Sequence, residues 1–247
     1  FCSPVFGVWE NIGRFSDRIP TRHGLSNKDA AALLAIARKI MTHKVETGNT
    51  IPLSELSSGL ESLTTDIVSA DVAVWVKGEL CASMIITKKP IIEAVAIAAV
   101  RAASDVRFRP IERGELADAR LELTIWSDLE IPLLPLEIAH GDIYYDKAYI
   151  TRKEGRTGWY LPTVFNGGHF TNLASFLDTL ARKKGGFSPD GAQLSLVETH
   201  GWIESDDKME ILKLHGPVVR KKLISGGICF ALPTLLKSAT RAADHLL

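Results

Sequence analysis

The chain has 247 residues, 46% of them hydrophobic and 23% charged, a composition that is ordinary for a globular protein with one large domain or two lobes. Its formal net charge is zero, which argues against a general nucleic-acid-binding role, because such proteins normally carry a basic excess. The longest strongly apolar stretch, residues 91–100, is half of the ~20 residues that span a bilayer, so we predict no membrane insertion.

The N-terminal part of the chain predicts an extension followed by a helix. Prolines and glycines interrupt any periodicity in residues 1–24, yet the aromatic residues there are too apolar for a solvated tail. We expect this extension to dock on the body of the protein or on a further segment. Ser26 then begins the clearest helix, because it can cap the first turn with Asp29, and an apolar face follows as far as Met41.

Residues 71–87 predict a β-hairpin. Valines at alternate positions form the first strand, and Lys77-Gly78 supplies a turn in which a positive φ costs glycine little. The return strand carries three small residues within an apolar run: Cys81, Ala82 and Ser83. Small residues let a backbone or a ligand approach closely, so we expect any functional site to lie here.

The remaining elements follow along the chain. We predict a helix from Pro90, a strand at 121–125 with one solvated face, a hairpin at 143–153 and 157–161, a helix at 170–183, a strand at 193–202, and helices at 206–223 and 234–247. Together they predict an α+β fold in which helices cover a mainly antiparallel sheet. Residues near 138–185 are predicted to form a smaller lobe.

Several short motifs occur in a characteristic order. They are Leu25-Ser26 with residues 32–39, residues 71–79, Asp105, Arg107, Phe108 and Pro110, Glu115-Leu116, Gly158, Leu161, Pro162 and Val164, and residues 176–183. In this order and spacing they resemble the AMME-syndrome candidate domain family, also called AmmeMemoRadiSam system protein A. The resemblance covers residues 25–205 and leaves 1–24 and a mostly helical 206–247 as extensions. It implies two lobes with a cleft between them, and Memo-like and radical-SAM proteins as partners.

The chain departs from that family's signature on the return strand of the first hairpin. The signature is Leu-Arg-Gly-Cys-Ile-Gly, whereas residues 80–85 are Leu-Cys-Ala-Ser-Met-Ile, so Cys81 replaces the arginine and Ser83 replaces the cysteine. The family's Lys-His-Gly segment aligns with residues 146–148, where no histidine remains. If the family's chemistry depends on these three side chains, the resemblance implies that this chain lacks it.

The candidate site residues each have a functional and a structural interpretation. Cys81 and Ser83 are two positions apart and are predicted to share a sheet face. They either line the cleft as a nucleophile or ligand pair, or fill small packing positions in the core. No base or cation that would activate the thiol is evident. Arg107 and Phe108 either bind an oxyanion through paired guanidinium hydrogen bonds or anchor the connection between helix and strand.

Tyr160 and Pro162, which lie in the last motifs of the resemblance, complete the residues that we assign to the predicted cleft. No metal or cofactor is predicted, because the histidines lack ligand spacing and His140 is better explained as an isolated loop residue. Gly167-Gly168 lacks the ending of a phosphate-binding loop and is better explained as a loop before a helix cap. Three widely separated cysteines favour reduced intracellular thiols over a disulfide framework.

The sequence therefore predicts a cytoplasmic, non-catalytic binding or accessory protein similar to the A component of AmmeMemoRadiSam clusters. The alternative is an enzyme that acts on a small anionic or redox substrate in the cleft. The apolar terminal extensions predict docking on this chain or burial in a homodimer. The surroundings of Cys81 and Ser83 separate the two functions, because an enzyme needs them at an open pocket and a binding protein can bury them.

Overall fold

The structure, a computed structural model, describes residues 25–56, 67–126, 130–133, 147–162, 173–205, 208 and 211–215. The predicted N-terminal extension, the helix at 234–247, His140 and Gly167-Gly168 lie outside these residues. The described elements are α1 (Asn27–Thr47), β1 (Ile67–Val76), β2 (Glu79–Pro90), α2 (Ile91–Ala102), β3 (Ala119–Trp126), β4 (Ile131–Pro132), β5 (Lys147–Lys153), β6 (Arg156–Tyr160), α3 (Leu173–Thr179) continuing as a π-helix (Leu180–Gly185), β7 (Gln193–Glu204) and β8 (Ile211–His215), with short 3₁₀ turns at Leu53–Glu55 and Arg113–Glu115. Among them, no helix has both the length and the apolarity that crossing a membrane requires.

Helix α1 begins and ends as the sequence predicts. The Asp29 amide donates a hydrogen bond of 3.1 Å to the Ser26 hydroxyl, and the Ser26 amide donates one of 3.1 Å to the Asp29 carboxylate, which forms a capping box. Gly48 ends the helix in the left-handed conformation, with a φ of 75°. The buried residues of α1 belong to the main hydrophobic core: Ala30, Leu33, Leu34, Ile36, Ala37, Ile40 and Met41.

The described strands form one antiparallel sheet with the order β2-β1-β3-β7-β5-β6. Strand β7 joins its two halves, because its first half pairs with β4 and β5 and its second half pairs with β3 and β8. Both predicted hairpins have turns with two positive φ values, 51° and 83° at Lys77 and Gly78, and 51° and 76° at Glu154 and Gly155. The predicted α+β fold, with helices on a mainly antiparallel sheet, is confirmed.

The two faces of the sheet have different surroundings. Helices α1 and α2 pack on the valine side of β1 and build the larger core, and α3 packs on the same side of the other half, where Tyr149, Tyr160 and Phe176 form a smaller core. We call the opposite side the inner face. Its residues include positions 71, 73 and 75 of β1, 83 and 85 of β2, and 122, 124 and 126 of β3. The cleft between two lobes stays a prediction.

Two predicted features differ from the structure. The predicted helix at 206–223 is wrong for Ile211–His215, which form β8 and extend the sheet beyond the predicted boundary at Ser205. A short apolar run is compatible with a helix or with a strand, and here the run forms a strand because it pairs with the edge of β7. The predicted solvated face of β3 is also wrong, because Glu122 and Thr124 are only 2% and 0% exposed. Strand β3 lies between β1 and β7, and both of its faces are buried.

Candidate functional site

Ser83 lies at the centre of a polar network on the inner face, near the edge of the sheet. Its hydroxyl donates a hydrogen bond of 2.9 Å to Asp71 Oδ1, and its amide donates one of 3.3 Å to Asp105 Oδ2. Its carbonyl accepts a hydrogen bond from Arg107 Nη2. We call these four residues, Asp71, Ser83, Asp105 and Arg107, the Ser83 network. All three polar groups of Ser83 are therefore occupied by groups of the protein itself.

Arg107 anchors the connection between α2 and β3 to this network. Its Nε and Nη2 donate hydrogen bonds of 3.0 and 2.8 Å to the two carboxylate oxygens of Asp105, and its amide donates one of 3.1 Å. Burial alone would raise the pKa of Asp105, but the hydrogen bonds from Arg107 hold that pKa below its ordinary value. The Asp105 side chain is 1% exposed, whereas that of Arg107 is 58% exposed. The pair thus ties a buried carboxylate to a guanidinium at the surface.

Phe108 and Arg109 continue this loop. The Arg107 Cζ lies 5.9 Å from the centre of the half-buried Phe108 ring, as a weak cation–π contact. Arg109 Nη1 donates a hydrogen bond of 2.6 Å to Glu115, which also accepts one of 3.0 Å from the amide of Glu112. The structure therefore shows Arg107 anchoring this connection, and the binding of an external oxyanion by Arg107 and Phe108 stays a prediction.

Two buried carboxyl groups lie on the inner face next to the network. Burial raises the pKa of Asp71 to about 6, although the hydrogen bond from Ser83 and the charge of Arg107 oppose the shift. Burial and the neighbouring Asp71 charge raise the pKa of Glu122 to about 8, against a hydrogen bond of 2.9 Å from Trp75 Nε1. Glu122 is therefore mostly protonated at neutral pH.

Cys81 does not share a face with Ser83, so the sequence prediction of a common face is wrong. Between the pairs Val74–Ala82 and Trp75–Leu80 the register shifts, and Cys81 is the extra residue of a β-bulge. The bulge turns its side chain into the main core, with 8% exposure. Its thiol donates to the Glu79 carbonyl at 3.5 Å, and burial raises its pKa. This is the environment of a packing cysteine, not of an activated thiolate.

Tyr160 and Pro162 lie at the other end of the sheet. Tyr160 is 2% exposed, its ring centre is 5.3 Å from that of Phe176, and burial raises its pKa to about 12. Lys184 Nζ lies 5.8 Å from the centre of the Tyr160 ring, and Pro162 is buried. The contacts of Tyr160 thus connect it to the smaller core and to Lys184, and the assignment of Tyr160 and Pro162 to a cleft stays a prediction.

The sequence reasoning missed Asp71, Asp105 and Glu122 as site residues. Asp105 was part of the family motif, but its partnership with Ser83 joins residues 22 positions apart. Glu122 is one of the polar residues that alternate with apolar ones along β3. Such alternation does not tell whether the polar face of a strand contacts water or is covered by other residues. The usable signal was the carboxylate of Asp71 inside a run of β-branched residues, because a buried carboxylate needs a partner.

The described fold and network define a class of protein. It is an α+β protein whose candidate site is a hydrogen-bonded cluster of carboxyl groups, a serine and an arginine. The described residues contain no group of three or more His, Cys, Asp or Glu that could hold a metal ion. The AMMECR1 family model matches residues 34–200, and the chain belongs to the AMMECR1 family.

Two known proteins are similar to this chain. A curated protein of Aeropyrum pernix, named only "Protein", is 34% identical over 120 residues, which are 46% of this chain and 50% of the relative, so the chain spans about half the length of the curated relative that it matches. The crystal structure of uncharacterized protein PH0010 from Pyrococcus horikoshii is similar with a TM-score of 0.68 and 17% identity, and the match covers 77% of this chain and 98% of that one. At that identity the likeness shows the fold alone.

Proposed function

We propose that this AMMECR1-family chain is a non-catalytic binding or accessory protein that acts in the cytoplasm. The observation that carries the proposal is the closure of the Ser83 network on itself. Cys81 and Ser83 replace the arginine and the cysteine of the family signature. The Cys81 thiol lies in the core, and the polar groups of Ser83 form hydrogen bonds with Asp71, Asp105 and Arg107. Such a network stabilises a surface rather than offering a reactive group.

The surface that this network supports is the loop 105–109. Val106 is 88% exposed, and Arg107 and Arg109 follow it with side chains that are 58% and 56% exposed. Carboxylates of the same chain bind both arginines, so the loop presents its apolar tip with little conformational freedom to lose. We propose that this tip contacts a partner protein. By resemblance to its family, Memo-like and radical-SAM proteins are the partners to test, and a homodimer formed through the terminal extensions is a further partner.

The experiment is native mass spectrometry of the protein purified gently, and without oxygen, from its own cells. We expect a co-purifying Memo-like or radical-SAM polypeptide, and we expect Val106→Asp to abolish its retention. Leu53→Asp is the matched control, since Leu53 is an exposed apolar residue of another element, with 43% exposure. A monomer that carries neither polypeptide, or equal retention by both variants, would contradict the proposal. A mass of twice the chain would identify the homodimer.

A second candidate function is an enzyme that acts on a small anionic or redox substrate. The observation in its favour is that the Ser83 hydroxyl donates to Asp71, whose pKa of about 6 suits a general base near neutral pH. If native mass spectrometry shows a small molecule bound to a monomer, and Ser83→Ala abolishes that binding, the enzyme becomes the favoured function. The role of Cys81 can be tested with a thiol reagent after Cys2 and Cys229 have been replaced by serine. If Cys81 reacts only slowly until the protein unfolds, it takes no part in such a reaction.

A further inference from the structure

The π-helix at Leu180–Gly185 is held against β6 by direct backbone contact. A Cβ atom added at Gly158 would lie 2.8 Å from the Gly185 nitrogen and 2.9 Å from the Leu180 carbonyl oxygen, so only a glycine permits this approach. π-helical turns are rare and occur frequently at functional sites. Here the turn contains three consecutive cationic residues, Arg182, Lys183 and Lys184.

Lys184 differs from its neighbours in its surroundings. Arg182 is exposed and donates a hydrogen bond of 2.7 Å to Asp178, one helical turn earlier. Lys184 is half-buried, with its Nζ 5.8 Å from the centre of the Tyr160 ring. Across the residues that the structure describes, no carboxylate forms an ion pair with it. Burial lowers the pKa of Lys184, and the charge of Arg107 lowers it further. A half-buried ammonium that lacks a carboxylate partner among the described residues is a group that an anion would stabilise.

The Arg107 guanidinium can donate further hydrogen bonds through Nη1. Asp105 occupies the edge of the guanidinium formed by Nε and Nη2, and Nη2 also reaches the Ser83 carbonyl and the Met84 sulfur. Nη1 makes no hydrogen bond to any residue in the described ranges. The side chain is more than half exposed and cannot rotate freely, because Asp105 and Ser83 hold the other edge. Nη1 therefore presents two N–H groups in a fixed direction.

The two cations lie beside β2 and β6, two strands that share one hydrophobic cluster on the inner face. Ile85 of β2 and Trp159 of β6, from opposite ends of the strand order, pack against one hydrophobic cluster, which consists of Trp126, Ala148, Ile150, Leu161 and Val197. Arg107 is bound to the residues just before Ile85, and Lys184 lies over the residue just after Trp159. The lowering of the Lys184 pKa by the charge of Arg107 agrees with this arrangement.

We propose that Arg107 and Lys184 form a binding site for a small free oxyanion, a carboxylate or a phosphate, between the β2 edge and the π-helix. The guanidinium offers directed N–H donors and the ammonium offers a compact charge, which is the combination that recognises such groups. A bound oxyanion also removes the repulsion between the two cations. This site goes beyond the proposed partner binding, because it needs no second protein and uses none of the exposed surface of Val106.

The test is titration of the purified chain with inorganic phosphate, and separately with acetate, at constant ionic strength set with chloride. We expect saturable binding that Lys184→Gln weakens about ten-fold, because a charge-assisted contact is lost. Lys184→Arg keeps the charge and is expected to retain binding. Lys183→Gln is the matched control, since it removes the same charge from an exposed neighbour, and it is expected to bind like the wild type.

The lysine side-chain NMR signals supply a second readout. Phosphate or acetate is expected to shift the Lys184 signal and leave Lys183 in place, and the tighter of the two anions identifies the ligand class. Equal weakening by Lys183→Gln and Lys184→Gln, or an unshifted Lys184 signal at saturating anion, would overturn the proposal. Val106→Asn separates the two proposals, because it makes the loop tip polar without adding a charge beside Arg107, and it is expected to weaken partner retention and leave phosphate binding unchanged.

Discussion

Ser83 on β2 donates a hydrogen bond of 2.9 Å to Asp71 on β1, although the two residues are not direct partners in the strand register. Asp71 lies opposite Ile85, so the hydroxyl reaches diagonally across the inner face. On its other side Asp71 lies opposite Thr124 of β3, whose buried hydroxyl has no hydrogen-bond partner among the described residues. The Asp71 carboxylate therefore accepts a hydrogen bond from the edge strand β2 and, within the described part of the chain, makes none with its neighbour Thr124 on β3.

Ser83→Ala is expected to destabilise the fold by about 1–3 kcal/mol, because it leaves the buried Asp71 carboxyl without its side-chain donor. Urea unfolding at neutral pH measures the change. Ser104→Ala is the matched control, since Ser104 is exposed, and its free energy of unfolding is expected to stay within about 0.5 kcal/mol of the wild type. Equal effects of the two substitutions would show that the hydrogen bond is immaterial to stability.

The two buried carboxyl groups predict how stability depends on pH. Their pKa values in the folded protein, about 6 for Asp71 and about 8 for Glu122, lie above the ordinary values of 3.8 and 4.5. The folded protein therefore binds more protons than the unfolded chain between about pH 4 and 8. The free energy of unfolding is expected to fall as pH rises through this range, by on the order of 1 kcal/mol per pH unit, and to level off above it.

Glu122→Gln tests the larger part of this dependence. The amide oxygen still accepts the Trp75 indole hydrogen bond, but the side chain no longer ionises. Unfolding in urea at a series of pH values is expected to show no slope above about pH 7, where Asp71 is already ionised, and a variant more stable than the wild type above about pH 8. A variant that keeps the wild-type slope between pH 6 and 8 would assign the proton uptake to another group.

Loss of the ion pair between Arg38 and Glu204, where α1 meets the sheet, is expected to lower the free energy of unfolding more than loss of an exposed ion pair. Arg38 Nε and the Leu121 amide each donate a hydrogen bond of 2.7 Å to the Glu204 carboxylate, whose side chain is 7% exposed. Arg38→Met leaves that charge without its cation and is expected to cost about 3 kcal/mol in urea unfolding. Arg182→Met breaks an exposed pair with Asp178 and is expected to cost about 0.5 kcal/mol. Similar costs for the two variants would contradict the burial argument.

The local elements could be predicted from the sequence because short-range chemistry decides them. Ser26 and Asp29 are three residues apart, and their capping box needs nothing beyond the first turn of α1. Lys77-Gly78 likewise sets the hairpin turn through backbone conformations that glycine favours. The family motifs placed these elements in one fold, which the structure confirms.

The candidate site could not be predicted in the same way, because distant parts of the chain form it. One extra residue in β2 turns Cys81 to the opposite side from Ser83, and no alternation pattern reveals a bulge. Glu122 has the pattern of a solvated position and lies buried in a central strand. The side of the sheet on which a residue lies follows from its register, and its burial follows from what covers that side.

Thr124→Val is expected to stabilise the protein by about 1 kcal/mol. The Thr124 hydroxyl is fully buried on the inner face and makes no hydrogen bond to any residue that the structure describes, and valine has nearly the same shape without the polar atom. Thr124→Ser is the complementary variant, because it keeps the hydroxyl and removes the methyl group, and it is expected to destabilise by about 1 kcal/mol. Thermal and urea unfolding measure both. A less stable Thr124→Val would mean that the hydroxyl binds an ordered water or another group, and the inner face would then contain a hydrated polar site next to Asp71.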